Sequence, residues 1–163
     1  RDGTAMSTVM IDVDHFKEIN DSFGHSGGDA ALQMIAATLR EGIRAGETIF
    51  RLGGEEFLLV SGRSGLKEMV VAAERLRRMV AATELQMDGR SASVSISLGV
   101  AERHEHHASF DDVLKSADDA LFEAKHTGRD RICYSIGGQI RSVVRPKTPQ
   151  SRAADLAAGK IGP

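Results

Sequence analysis

The chain has 163 residues, a formal net charge of −2 and 41% hydrophobic residues. That combination suits one globular domain with a full-sized core and excludes a disordered chain. The single cysteine, Cys133, excludes an internal disulfide and fits a reducing, cytoplasmic compartment; no signal peptide is visible, and no apolar run approaches the ~20 residues that span a bilayer.

Val9, Ile11 and Val13 alternate with Met10, Asp12 and Asp14, the period of a strand over 7–14. Asp12 and Asp14 then share a face. Asp12 has apolar neighbours, so its pKa is expected to be raised unless a cation lies close. Helices are predicted over 16–23 and 28–42, the second with Leu32, Ile35, Ala36 and Leu39 on one face. Strands over 48–52 and 56–61 enclose Gly53-Gly54-Glu55-Glu56. Two glycines between apolar runs read as a tight hairpin, because glycine tolerates positive φ. Adjacent carboxylates beside a buried strand are costly unless paired, and a bound cation or phosphate chemistry accounts for them. Asp12 with Glu55 makes an oxygen cage suited to Mg²⁺, which is held by one or two carboxylates plus substrate phosphates.

A helix over 65–83 follows, with Leu66, Met69, Val70, Ala73, Leu76, Met79 and Val80 on one face. Asp88-Gly89 marks a hairpin between strands over 84–87 and 91–101. His104, Glu105, His106 and His107 match no usual zinc spacing and read as an exposed loop. Ser109 and Asp112 form a capping box for a helix over 110–127, with Gly128 at its C-terminal cap. A strand over 131–135 carries Cys133 as a core residue. Residues 136–163 hold Arg141, Arg145, Lys147, Arg152 and Lys160 against Asp155 and read as a basic, disordered tail. The body is correspondingly acidic, which argues against a nucleic-acid surface. The order of elements indicates an α/β (α+β) sheet with helices packed on it.

Gly53-Gly54-Glu55-Glu56-Phe57 resembles the signature loop of the GGDEF family, the diguanylate cyclases, in its GGEEF variant. Other stretches agree in order: Asp12-x-Asp14-His15-Phe16-Lys17-x-Ile19-Asn20-Asp21, Gly24-His25-x-x-Gly28-Asp29, Val94-Ser95-Ile96-Ser97-Leu98-Gly99-Val100, and Ala117-Asp118-x-Ala120-Leu121-x-x-Ala124-Lys125-x-x-Gly128-Arg129. The resemblance implies a central, mostly antiparallel sheet flanked by helices, palm-like as in class III nucleotidyl cyclases. It covers a catalytic domain over 1–135 that lacks the family's usual N-terminal segment.

What the resemblance implies for function is specific. Two GTP molecules would be condensed into cyclic di-GMP with release of pyrophosphate, in bacterial second-messenger signalling. Asp12, Glu55 and the backbone carbonyl of Val13 would hold Mg²⁺ or Mn²⁺, two ions per site, and Glu56 would assist metal binding or deprotonation of the 3′-hydroxyl. Phe16, Lys17, Lys125 and Arg129 would take the phosphates, the last two placed four apart on one side of a helix end. Gly53 and Gly54 would let the nucleotide approach the backbone. Asn20 and Asp29 would read guanine, although either also suits a helix cap. Arg44 and Glu47 stand where many relatives carry an Arg-x-x-Asp product-inhibition motif, here with a longer acid. Catalysis would need a homodimer, and an upstream sensor or receiver domain is expected, since the chain begins at Arg1 rather than Met. A cytoplasmic domain, with a parent free to be anchored at the inner membrane, fits this reading. The alternative is a catalytically silent GTP-binding module of the same fold; departures at Asp12, Glu55 or the glycines would favour it, and none is present.

Overall fold

In the computed structural model residues 5–143 are described; residues 1–4 and 144–163, and with them most of the expected tail, lie outside the described residues. Strand β1 (Ser7–Val13) is buried along its whole length. It pairs antiparallel with β3 (Glu56–Ser61) on one side and β6 (Ile96–Glu102) on the other. β2 (Glu47–Gly53) lies outside β3, while β7 (Ile132–Ile136) runs parallel to β6 and β8 (Gln139–Ser142) folds back on it. The sheet order is therefore β2-β3-β1-β6-β7-β8. It is antiparallel except at β6–β7, in agreement with the expected fold class.

The period of two decides which helix meets which side. Val9, Ile11 and Val13 face one core with Leu32, Ile35 and Leu39 of α1 (Phe16–Gly42) and Met69, Ala73 and Leu76 of α2 (Leu66–Ala81). Met10 faces the other side with Leu58 and Ala101, under Val113, Ala117 and Leu121 of α3 (Phe110–His126). Asp12 takes the face of Met10, two residues before it, while Asp14 lies just past the end of the strand.

Three expectations change in detail. The two helices over 16–23 and 28–42 are one helix, broken only at Gly24 (φ 71°), so residues 25–27 are helical. Glycine alone tolerates that angle without strain. The strand over 91–101 divides, because β5 (Arg90–Ser93) leaves the main sheet to pair with β4 (Glu84–Met87). Asp88 (φ 52°) and Gly89 (φ 71°) form the expected turn between them. The sheet also runs past 135: the tail expected from 136 begins instead with the end of β7 and with β8, turned by Gly137 and Gly138. The capping box at Ser109 and Asp112 forms as predicted.

Sheet and helix approach closely at Gly99 in β6. A Cβ there would overlap the carbonyl oxygen of Ala117 and the backbone of Leu121 in α3. Overpacking a core costs about 1–3 kcal/mol, and backbone yields less readily than a side chain. Gly99→Ala is expected to lose about 3 kcal/mol in chemical denaturation, while Gly62→Ala, with open space around it, stays within about 0.5 kcal/mol of wild type. Equal stabilities of the two variants would contradict the seating of α3 on β6.

Candidate functional site

Asp12 lies near the end of β1, 4% exposed, in register with Glu56 on β3 and Ser97 on β6. The next residue laces the strand to the hairpin: Val13 N–H donates to the Glu55 carbonyl at 3.2 Å. Gly53 (φ 153°) and Gly54 (φ 51°) turn the chain between β2 and β3, and Arg51 grips that turn with Nε and Nη2 on the Gly54 carbonyl, at 3.1 and 2.7 Å. Glu55 is half-buried and Glu56 exposed. The two acids expected at a metal are thus brought together by backbone pairing.

Their electrostatics fit a cation. Burial pushes the Asp12 carboxyl up; Lys125 opposes this, and Asp14 adds to it. Burial also pushes up Glu55, reinforced by the charge of Asp12. The Asp12 Oδ1 atom is buried, and its neighbour is the Lys125 ammonium at 2.8 Å. Among the described residues no group of three or more His, Cys, Asp or Glu is placed to hold a metal. Two carboxylates and a backbone carbonyl are what a hard cation needs when substrate phosphates complete its shell.

The first turn of α1 follows His15, a left-handed N-cap (φ 54°) that makes no side-chain cap hydrogen bond. The N–H groups at Phe16 and Lys17 therefore meet no capping side chain, in a position that favours an anion. Asn20 sits further along this helix and closes on Gly28 across the break at Gly24: a Cβ on Gly28 would overlap Asn20 Oδ1. Asp29 follows Gly28, exposed and within the helix, so the alternative of a helix cap does not apply to it.

Lys125 and Arg129 do not share a helix side. α3 ends at His126, and Gly128, Arg129 and Asp130 all have positive φ (127°, 60° and 45°). Arg129 N–H bonds the Ala124 carbonyl at 3.0 Å, a Schellman closure that carries Arg129 round the helix end. The two cations still converge electrostatically, since both act on Asp12.

Sequence reasoning gave Asp14 no role of its own. It is buried and accepts from Ser95 Oγ at 2.7 Å, Ser97 Oγ at 2.6 Å and Asp130 N–H at 2.9 Å. Two serines alternating with Ile96 and Leu98 at the start of a buried strand are the signal that pointed to such a partner. At the far end of β2, Glu47 Oε2 accepts from Arg44 N–H at 2.8 Å and lies 3.4 Å from Arg75 Nη2, with its side chain 7% exposed. The histidine loop contains one structural member: His107 is buried, hydrogen-bonded to Ser116 and to the His104 N–H.

Residues 1–131 match the family described as "Diguanylate cyclase, GGDEF domain". Diguanylate cyclase A of Treponema denticola is 36% identical over 130 residues, covering 80% of this chain and 35% of that protein. The chain thus spans about a third of that relative's length. Among solved structures, the GGDEF domain of DgcB from Caulobacter crescentus in complex with c-di-GMP has a TM-score of 0.77 at 30% identity, covering 81% of this chain and 78% of that one. The active GGEEF domain of a diguanylate cyclase from Vibrio cholerae has a TM-score of 0.75 at 31% identity, covering 80% and 83%.

The raised acids carry a stability cost with a definite sign. Folding strengthens their hold on protons, so their contribution is full below the unfolded carboxylate range and is lost as pH rises through the folded values. Glu55→Gln is therefore expected to raise the thermal midpoint in metal-free buffer at neutral pH and to leave it unchanged below the carboxylate range. A lowered midpoint at neutral pH would show that the two charges do not oppose each other.

Proposed function

The chain belongs to the GGDEF family of diguanylate cyclases, and we propose that it is itself such a cyclase, condensing two GTP into cyclic di-GMP with release of two pyrophosphates. The observation that carries this is the pair Asp12 and Glu55, drawn together at the end of β1 with raised pKa values and Lys125 beside them. A purely structural site would not gather two acids that resist ionisation.

Asp12, Glu55 and the Val13 carbonyl would hold the divalent cations, Mg²⁺ or Mn²⁺. When bound, these ions neutralise charge developing on the phosphates and activate the attacking oxygen. The chain's own residues do the rest. N–H groups at Phe16 and Lys17, the Lys125 ammonium and the Arg129 guanidinium bind the phosphates. Asn20 and Asp29 orient guanine, an amide donor meeting its O6 and N7 and a carboxylate meeting its N1–H and N2–H₂. Gly53 and Gly54 leave the backbone open to the nucleotide. The 3′-oxygen of one GTP attacks the α-phosphorus of the other, the bond to the bridging oxygen breaks, and pyrophosphate leaves. Glu56, exposed beside the hairpin, takes the 3′-hydroxyl proton.

One site holds one GTP, so two domains must face each other, and an upstream sensor or receiver domain of the parent would govern that encounter. The cytoplasm, which supplies GTP and keeps Cys133 reduced, is the matching compartment. No helix among the described residues is long and apolar enough to cross a membrane.

Incubating the protein with GTP and Mg²⁺, and identifying products by mass, tests the reading. Cyclic di-GMP is expected, with specific activity rising with protein concentration and rising further on fusion to a dimeric coiled coil. Glu55→Gln should remove turnover while the fold persists. Wild-type turnover by a folded Glu55→Gln variant would sink the metal role.

Product feedback is expected to be weak. The Glu47 carboxylate is held by the Arg44 N–H and faces Arg75, and a longer side chain has an extra torsion to immobilise on binding. Titration of cyclic di-GMP into the assay should show weak inhibition of wild type and stronger inhibition of Glu47→Asp. Tight inhibition of wild type, abolished by Arg44→Ala, would overturn this.

A further inference from the structure

Arg77 is a charged residue on the buried stripe of α2, 7% exposed between Ala73, Leu76 and Val80. A guanidinium is costly there unless fully paired. It is paired twice. Nε and Nη2 bind Glu74 at 2.8 and 2.9 Å within the helix, and Nη1 binds Asp130 Oδ1 at 2.7 Å. The first pair pulls the Glu74 carboxyl down to about 2, so Glu74 stays ionised and holds Arg77 still. The second pair reaches across the molecule to the turn after α3.

That turn needs holding. Gly128, Arg129 and Asp130 follow one another at φ 127°, 60° and 45°, a conformation that suits glycine and strains the two residues after it. Such a run persists only where its surroundings over-determine it. Contacts at both residues do so here, beside the Arg131 Nε–H that donates to the Arg129 carbonyl at 3.1 Å. Arg129 N–H closes on Ala124, Asp130 N–H donates to Asp14 Oδ2, and the Asp130 carboxylate takes Arg77. Asp14 is in turn fixed by Ser95 and Ser97. Arg129 thus lies in an anchored turn, with its side chain exposed and its charge acting on Asp12.

We propose that Arg77 and Asp130 are positioning residues for phosphate binding: their ion pair holds Arg129 in the left-handed conformation that places its guanidinium beside the Asp12 site. The inference rests on the reading that Lys125 and Arg129 take the triphosphate. It predicts a selective defect. Loss of the ion pair disturbs the group that meets the terminal phosphates and leaves the guanine contacts of Asn20 and Asp29 intact. A pair that serves only stability would lower the unfolding midpoint without distinguishing one nucleotide from another.

The test is calorimetric titration of the full chain, with Mg²⁺, using an α,β-methylene analogue of GTP and, separately, GMP. Arg77→Met and Asp130→Asn are each expected to weaken the analogue by about tenfold, the scale of one misplaced charge-assisted hydrogen bond, with GMP held within about twofold. The double variant should be no weaker than either single one, because both remove the same contact. Asp130→Asn keeps the N–H that Asp14 accepts, so it decides the matter if Arg77→Met fails to fold. Equal weakening of analogue and GMP, or of neither, would overturn the positioning role. Arg129→Ala separates the two readings. If it weakens the analogue and Asp130→Asn does not, this inference alone falls. If Arg129→Ala binds the analogue as wild type does, the phosphate reading falls and takes this inference with it.

Discussion

At Gly99 the backbone of α3 lies directly on β6, with no side chain between them. The helix side that makes this contact is built of small residues, Ala117, Ala120 and Ala124, all fully buried. A larger residue at any of these positions would lift the helix from the sheet. The height of α3 sets where its last turn arrives, and Lys125 is in that turn. Its ammonium reaches 2.8 Å from Asp12 because the helix sits as low as it does. The turn beyond it inherits the same placement, which brings Asp130 under Asp14 and within reach of Arg77. A packing constraint in the middle of the sheet thus fixes the geometry of charges at its end.

Those charges are in tension, and the tension has a use. Asp12 is buried deeply enough that an ionised carboxylate needs a counter-charge. Lys125 supplies one. Glu55, held beside it by the Val13 hydrogen bond, makes the local excess of negative charge larger than one lysine neutralises. Under the cyclase reading, Asp12 and Glu55 would hold a divalent cation, which would supply the counter-charge both acids need and leave the Lys125 ammonium to bind phosphate. The cost of keeping the acids together falls on the protein without its cation, the ordinary bargain between stability and activity at a preorganised site.

Much of this was legible in the sequence where local rules carry the information. The alternation of Val9, Ile11 and Val13 with Met10 and Asp12 gave the strand and the side of it that Asp12 takes. Gly53-Gly54 and Asp88-Gly89 gave hairpins, and Ser109 with Asp112 gave a cap. What was hidden depends on contacts between distant segments. Arg77 follows Leu76 in a helix full of charged residues, and nothing local marks it as the arginine that turns inward. Asp14 reads as a companion of Asp12 until Ser95, Ser97 and Asp130 arrive from more than eighty residues away. The spacing of Lys125 and Arg129 suggested one helix side, but the helix had already ended. β8 was masked by its composition, since glycines and an arginine at the start of a basic stretch resemble a tail.

The break at Gly24 illustrates the same dependence from the other direction. A glycine inside a helical pattern reads as a boundary, so the sequence predicts two helices there. The chain instead resumes its helix at once, and the single left-handed residue offsets the two halves. The offset brings Asn20 onto Gly28, where only a hydrogen fits between the amide and the backbone. An uninterrupted helix would place residues eight apart more than two turns from each other, about 12 Å along the axis. The break therefore shortens the separation of Asn20 and Gly28. The approach of the Asn20 amide to Gly28 exists because the helix between them does not run straight.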